Sequence, residues 1–174
     1  DLDRARQLLE EAGVGAGFDM EIMATSTYEE SVRQAQVIQQ NLAEVGINVT
    51  ITTPEFAEWL DRQGAGDFDA FNLSWIALTD GNDYFYAQQR TGEIFNFTGY
   101  SNPELDELLD AGRTTSDFDE RYAIYEQANT IVVDEAPYVY FYSPLGLRAY
   151  QSYVKGFVTR PDLMTALWTT WLDQ

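Results

Sequence analysis

Residues 18–52 read FDMEIMATSTYEESVRQAQVIQQNLAEVGINVTIT, and this stretch decides the fold. Phe18, Met20, Ile22 and Ala24 alternate with Asp19, Glu21 and Met23, the period of a strand with one face more polar. The turn Thr25-Ser26-Thr27 follows. Val32, Ala35, Ile38, Leu42 and Val45 then recur at steps of three and four, the stripe of a helix that Gly46 ends. Ile47, Val49 and Ile51 alternate with Asn48, Thr50 and Thr52 as a second strand. Strand, helix and strand within roughly 35 residues make a βαβ unit, whose strands run parallel and whose crossover is right-handed.

Working outward, residues 3–12 carry Ala5, Leu8, Leu9 and Ala12 at helical spacing, with Gly13 as the stop. Gly13, Gly15 and Gly17 form a helix-to-strand turn; a phosphate loop needs the opposite order, strand before and helix after. Thr53-Pro54 opens another helix, with Phe56, Trp59 and Leu60 toward the core and Gly64 at its end. Phe71, Leu73 and Trp75 alternate with Asn72 and Ser74 as a third strand. The loop Thr79-Asp80-Gly81-Asn82-Asp83 leads to Tyr84-Phe85-Tyr86, where Tyr84 and Phe85 are expected in the core. Ser101-Asn102-Pro103-Glu104 is a helix start, and Asp117-Phe118-Asp119-Glu120 repeats the signal. Phe118, Tyr122, Tyr125, Ala128 and Val132 give the longest stripe, which Pro137 stops. Tyr138–Tyr142, nearly all apolar or aromatic, predicts a well-buried fourth strand. The tail beyond Tyr150, with Val154, Phe157, Leu163, Leu167, Trp168 and Trp171, has no regular period. The fold class is therefore α/β: a single lobe with a mixed, largely parallel sheet of about four strands flanked by helices.

Composition narrows the chemistry. The 174 residues suit one domain, and 45% of them are apolar, too many for a disordered acidic chain. The net charge is −19, from 29 acids against 10 bases, and Lys155 is the one lysine. Nucleic acid is excluded as a partner, because phosphate binding needs clustered Lys and Arg. An acidic surface of this kind also suits a saline habitat. With no Cys and no His, thiolate metal sites, disulfides and any Ser-His or Cys-His mechanism are ruled out. No cofactor or metal is expected. Asp80-Gly81-Asn82-Asp83 has the ingredients of a calcium loop but not its spacing, since Gly81 comes too early and position twelve is Thr91. Asp67 and Asp69 flank a strand start, an ordinary place for exposed acids. No apolar run reaches the roughly 20 residues of a membrane span. The opening Asp1-Leu2-Asp3 runs into a helix with no strand before it, the start expected of a piece of a longer protein.

The order of these segments resembles the C-terminal lobe of the substrate-binding proteins of ABC peptide and nickel importers, the dipeptide- and oligopeptide-binding family. Asp3-Arg4-Ala5-Arg6-Gln7-Leu8-Leu9-Glu10-Glu11-Ala12-Gly13 resembles the family's opening helix. Ala35–Leu42 with Gly46-Ile47-Asn48-Val49 is similar to its crossover. Gly66-Asp67-Phe68-Asp69 with Trp75, then Tyr100-Ser101-Asn102-Pro103-Glu104-Leu105-Asp106, then Asp134-Glu135-Ala136-Pro137 complete the series in order, over nearly the whole chain.

The resemblance implies that residues 1–174 are one lobe of a two-lobed binder whose N-terminal lobe lies elsewhere in the same protein. It implies extracytoplasmic solute binding by hinge closure, ABC permease subunits as partners, no enzymatic activity, and a periplasmic or lipid-anchored extracellular location. The solute is a peptide, with a nickel chelate, an opine or an oligosaccharide as other classes. In peptide-binding members an acid shortly after the Trp holds the ligand's amino terminus; here Leu78 stands three residues past Trp75, and Asp80 and Asp83 are the nearest acids. By resemblance the cleft candidates are Asn72, Trp75, Asp80, Asn82, Asn96 and Tyr142. Two other readings stay open: a glycan-active domain using Asp67, Asp69 or Asp80 as paired carboxylates with aromatic platforms, and a sensor or interaction module that does not transport.

Overall fold

The computed structural model describes residues 1–75, 80–143, 145–160, 162 and 164–173. The chain divides into two compact units, Asp1–Trp75 and Ile76–Gln174.

The first unit is built on the βαβ stretch. Helix α1 (Leu2–Glu11) is capped by Asp1, whose side chain accepts from the Arg4 N–H. Strand β1 (Asp19–Met23), helix α2 (Glu29–Ala43) and strand β2 (Asn48–Thr52) follow, then helix α3 (Phe56–Ala65) and a short β3 (Ala70–Phe71). The strands lie in the order β2-β1-β3, all parallel, with Asp19 opposite Asn48 and Ile22 opposite both Ile51 and Ala70. Ile22, Ala24, Ala35, Ile47 and Val49 form the buried core, and Leu9, Val32, Ile38 and Leu42 pack against it. Met23 and Trp59 of α3 are also fully buried, and the Trp59 indole N–H donates to the Met23 carbonyl at 3.3 Å. Both faces of β1 are thus used near its C-terminal end. Gly17 and Gly46 meet where β1 and β2 begin: a Cβ on Gly17 would lie 1.9 Å from the Gly46 carbonyl oxygen.

Some expectations move. Helix α3 runs through Gly64 and is capped by Gly66 in the left-handed region, φ 71°. It starts at Phe56, two residues beyond Pro54. Leu8 and Leu60 are largely exposed.

The longer regular elements of the second unit are helices. A five-residue π-turn (Asn82–Tyr86) runs into the short α4 (Ala87–Gln89), and α5 (Pro103–Thr114) and α6 (Phe118–Glu135) form a hairpin. Asn102 caps α5 by accepting from the Leu105 N–H, and Asp117 caps α6 by accepting from Glu120. Leu105, Leu109, Ala128 and Val132 are the hairpin core, with Phe85, Tyr86, Tyr100 and Tyr125 packed on it. Phe118 and Tyr122, the first members of the α6 stripe, are exposed. The reason is length. Tyr125 already lies against Gly112, two residues before α5 ends at Thr114, so the turn preceding Tyr125 has no α5 left opposite it.

The expected strand Tyr138–Tyr142 does not form. Residues 138–143 carry no ladder, and Val139, Tyr140, Phe141 and Tyr142 are exposed. A continuous apolar run is buried as a strand only where neighbouring strands flank it. Among the described residues of this unit the ladder that exists is β4 (Val154–Lys155) against β5 (Trp171–Leu172), antiparallel, in the tail whose sequence shows no period. The fold is α/β as expected, with a three-stranded parallel sheet and a separate two-stranded pair.

Candidate functional site

Open parallel sheets bind ligands beyond the carboxyl ends of their strands. In the first unit that edge is closed by a buried polar network. The Ser31 hydroxyl receives the Thr25 N–H at 3.1 Å and lies 3.0 Å from the Asn72 side-chain oxygen. The Asn72 amide donates to the Ser31 carbonyl at 2.7 Å and to the Gln34 side chain at 3.1 Å. Thr25, Ser31 and Asn72 are all buried. Asn72 therefore joins the end of β3 to the loop after β1, and both its amide hydrogens are committed inside the protein. Trp75, half-buried, closes the unit. Leu78 lies outside the described residues.

The acids at the start of β3 are also engaged. The Glu21 N–H donates to Asp69 at 2.8 Å, and Asp67 accepts from Arg62, which also reaches Glu21 at 2.7 Å. Arg62 is held above its usual range, first by the Glu21 hydrogen bond. These carboxylates fasten α3 and β3 to β1.

In the second unit Asp80 and Asn82 share one turn: the Asn82 N–H donates to Asp80 Oδ1 at 2.8 Å. Both oxygens of Asp80 also accept from Arg121 of α6, and that hydrogen bond foremost holds the Asp80 carboxyl below the usual carboxylate range. Asp83 is the exposed acid of this loop, 3.4 Å from the Asn82 amide nitrogen. The side-chain oxygen of Asn82 is buried with no hydrogen-bond partner among the described residues. A π-turn here, in place of regular helix, widens the backbone at the loop that carries these residues.

Asn96 organises a different turn. Its amide donates to the carbonyls of Arg90 and Tyr100 at 3.0 and 2.7 Å, and its oxygen receives the Tyr100 N–H at 3.1 Å. Tyr142 is exposed on the extended segment after α6. The same segment supplies Tyr138 and Tyr140, whose rings stack 6.3 Å apart, and Tyr140 pairs with Tyr84 at 6.2 Å. Burial pushes Tyr138 up to about 12 and raises Tyr140 and Tyr84 as well. Gln89, fully buried, donates to the Tyr140 hydroxyl at 3.2 Å.

The structure thus brings Asp80 and Asn82 together and gives Asn72 and Asn96 separate internal duties. Sequence reading missed Arg121, Ser31 and Gln89. The one available signal was Arg121 on α6, an arginine a few residues past a helix start in a chain with few bases. Among the described residues no group of three or more His, Cys, Asp or Glu is arranged to hold a metal ion, and no helix is long and apolar enough to cross a membrane.

Comparison with known proteins adds an independent line. Residues 1–97 match the family model of bacterial extracellular solute-binding proteins, family 5 (middle region). The chain is 27% identical over 169 residues to the dipeptide-binding protein of Escherichia coli K12, covering 92% of this chain and 32% of that protein. The fold is similar over 100% of this chain to the periplasmic binding protein DppA of Helicobacter pylori in complex with the peptide STSA, at 30% identity and a TM-score of 0.81, covering 35% of that chain. It is also similar to a dipeptide-binding protein of Pseudoalteromonas sp. SM9913 in complex with Met-Leu, at 26% identity and a TM-score of 0.76, covering 99% of this chain and 36% of that one. The chain spans about a third of the length of these relatives.

Proposed function

The chain belongs to the bacterial extracellular solute-binding proteins of family 5, and from that membership we propose that it is the C-terminal lobe of a two-lobed protein that captures short peptides for an ABC importer. The observation that carries the reading is the likeness over the full chain to a peptide-holding protein, at 30% identity. The lobe holds half of a solute site. The other half lies in an N-terminal lobe of the same protein, and hinge closure of the two traps the solute. The permease subunits of the importer are the partners that receive it, and the whole protein works outside the cytoplasm, tethered by a lipid where there is no outer membrane to retain it.

Two features support this assignment. Val139, Tyr140, Phe141, Tyr142, Leu145 and Leu147 are all exposed, more apolar surface than solvent contact favours, which suits a lobe that packs against a larger body. The second is the acid loop at Asp80–Asp83, which follows Trp75 in the sequence. Solute contacts in this lobe are assigned to Trp75, Asn82, Asp83 and Tyr142. Asp80 supports Asn82 by accepting its N–H, while Asn72 and Asn96 hold the sheet edge and a separate turn. Asp67 and Asp69, tied to Arg62 and to the Glu21 N–H, make a poor catalytic pair.

Native mass spectrometry of the full-length protein, purified gently from its own organism, tests the reading. Mass increments spread over several short peptides are the expected result. One discrete increment matching a sugar or a metal chelate would replace the solute class, and no increment at all would remove the transport reading.

A further inference from the structure

The loop that carries Asp80, Asn82 and Asp83 hangs on one guanidinium. Arg121 donates through Nη1 and Nη2 to the two oxygens of Asp80, at 3.0 and 2.6 Å. Its Nε donates to the Gly112 carbonyl near the end of α5, at 2.8 Å. Its Cζ lies 5.0 Å from the centre of the Tyr125 ring. That ring fits between two glycines. A Cβ on Gly81 would come 3.3 Å from it, and a Cβ on Gly112 would come 2.9 Å from it. One side chain therefore joins the loop, α5 and α6, and a ring wedged beneath the loop sets its height. The fork uses both Asp80 oxygens, and Oδ1 also accepts the Asn82 N–H, so the carboxylate is held on three sides within the protein.

We propose that Arg121 is a positioning residue for solute recognition: by tying Asp80 to α5 and α6 it fixes the Asp80–Tyr86 loop in its binding shape. This deepens the reading above, on which the loop's facing the solute depends. Lysine keeps the charge but cannot make the planar fork or reach three partners, so Arg121→Lys isolates the geometry from the charge. Asp80→Asn keeps the shape of the carboxylate and removes its charge.

The test uses the full-length protein and two readouts. Hydrogen exchange without solute reports the loop. The dissociation constant for the probe dipeptide Met-Leu reports recognition. In Arg121→Lys and in Asp80→Asn, exchange is expected to quicken over residues 80–89 and to stay unchanged in the central turns of α5 and α6. Binding of Met-Leu is expected to weaken about tenfold in each, about 1.4 kcal/mol, with the double variant no worse than either single one, as a shared latch requires. Unchanged exchange over residues 80–89 overturns the proposal whatever binds. Faster exchange with unchanged affinity makes Arg121 structural only and overturns it too, as do losses that add in the double variant. Wild-type protein that takes up no peptide sinks the peptide reading instead, and loop exchange still decides whether the latch exists.

Discussion

The sheet edge of the first unit and the Asp80 loop of the second hold their polar groups in different ways. In Asp1–Trp75 the polar network at the sheet edge is neutral and closed: Thr25, Ser31, Gln34 and Asn72 satisfy one another around a strand end. In the second unit the contacts that tie segments together are charged and partly wet: Asp80 with Arg121, Asp110 with Arg90, Glu135 with Tyr100 and Asn102. A neutral network is insensitive to pH and expensive to break, because each orphaned group stays buried. Charged contacts at a surface contribute less each and answer to pH and salt. The sheet edge is therefore expected to answer less to pH and salt than the Asp80 loop.

The largest expected effect tests the first unit at its tightest point. Gly17 has φ 81°, and a Cβ there would overlap the backbone of Gly46. Gly17→Ala should cost about 3 kcal/mol or more, read as a fall in the urea midpoint and as faster hydrogen exchange in β1 and β2. Gly112→Ala in the second unit meets a Tyr125 ring, which can shift, and should cost about 1–2 kcal/mol. Equal losses would remove the contrast between the units.

Next comes the network itself. Asn72→Ala should cost about 2 kcal/mol by leaving the Ser31 carbonyl without its buried donor. Circular-dichroism melts would check it, and a loss near zero would mean that Asn72 is not a structural residue.

The pH effect is smaller and falls on the second unit. The carboxyls of Asp80, Asp110 and Glu135 all sit below their ordinary values, in each case first through a hydrogen bond, from Arg121, Arg90 and Tyr100 respectively. A lowered carboxylate contributes stability above its unfolded value, about 4, and loses it as pH falls through the folded value. Tyr100 and Tyr138 are shifted up to about 12, chiefly by burial. Their contribution is present below the unfolded value near 10 and is lost as pH rises toward about 12. Stability of the second unit, read as circular-dichroism melting temperature across pH, should therefore fall below about pH 4 and above about pH 10. Salt gives the smallest effect. With a net charge of −19, added sodium chloride should raise the melting temperature by a few degrees through screening, and a fall would show that the ion pairs of the second unit outweigh the general repulsion.

How much of this was legible follows from where the information lies. The βαβ stretch, α5, α6 and their caps are written in local periodicity, and they appear nearly at the expected bounds. Asn102 and Asp117 cap the helices whose starts they announce. The π-turn at Asn82–Tyr86 has no sequence period of its own. The Asp80–Arg121 pair joins residues 41 apart, which no local pattern can report. Asn72 reads equally well as a rim residue or a buried one, and only the partners decide: Ser31 and Gln34, from a different element, claim its amide. Tyr138–Tyr142 failed for the converse reason. Its apolar run describes an environment, and among the described residues no strand pairs with it to supply one.

That last segment carries a hazard. Tyr138-Val139-Tyr140-Phe141-Tyr142-Ser143 is uncharged, free of proline and glycine, and rich in aromatic and β-branched side chains, and much of it faces solvent. Six such residues in an extended run are the signature of a stretch that stacks with copies of itself into cross-β fibrils. A charge set into the run, such as Val139→Lys, is expected to lower self-association of the chain, read by light scattering at rising concentration.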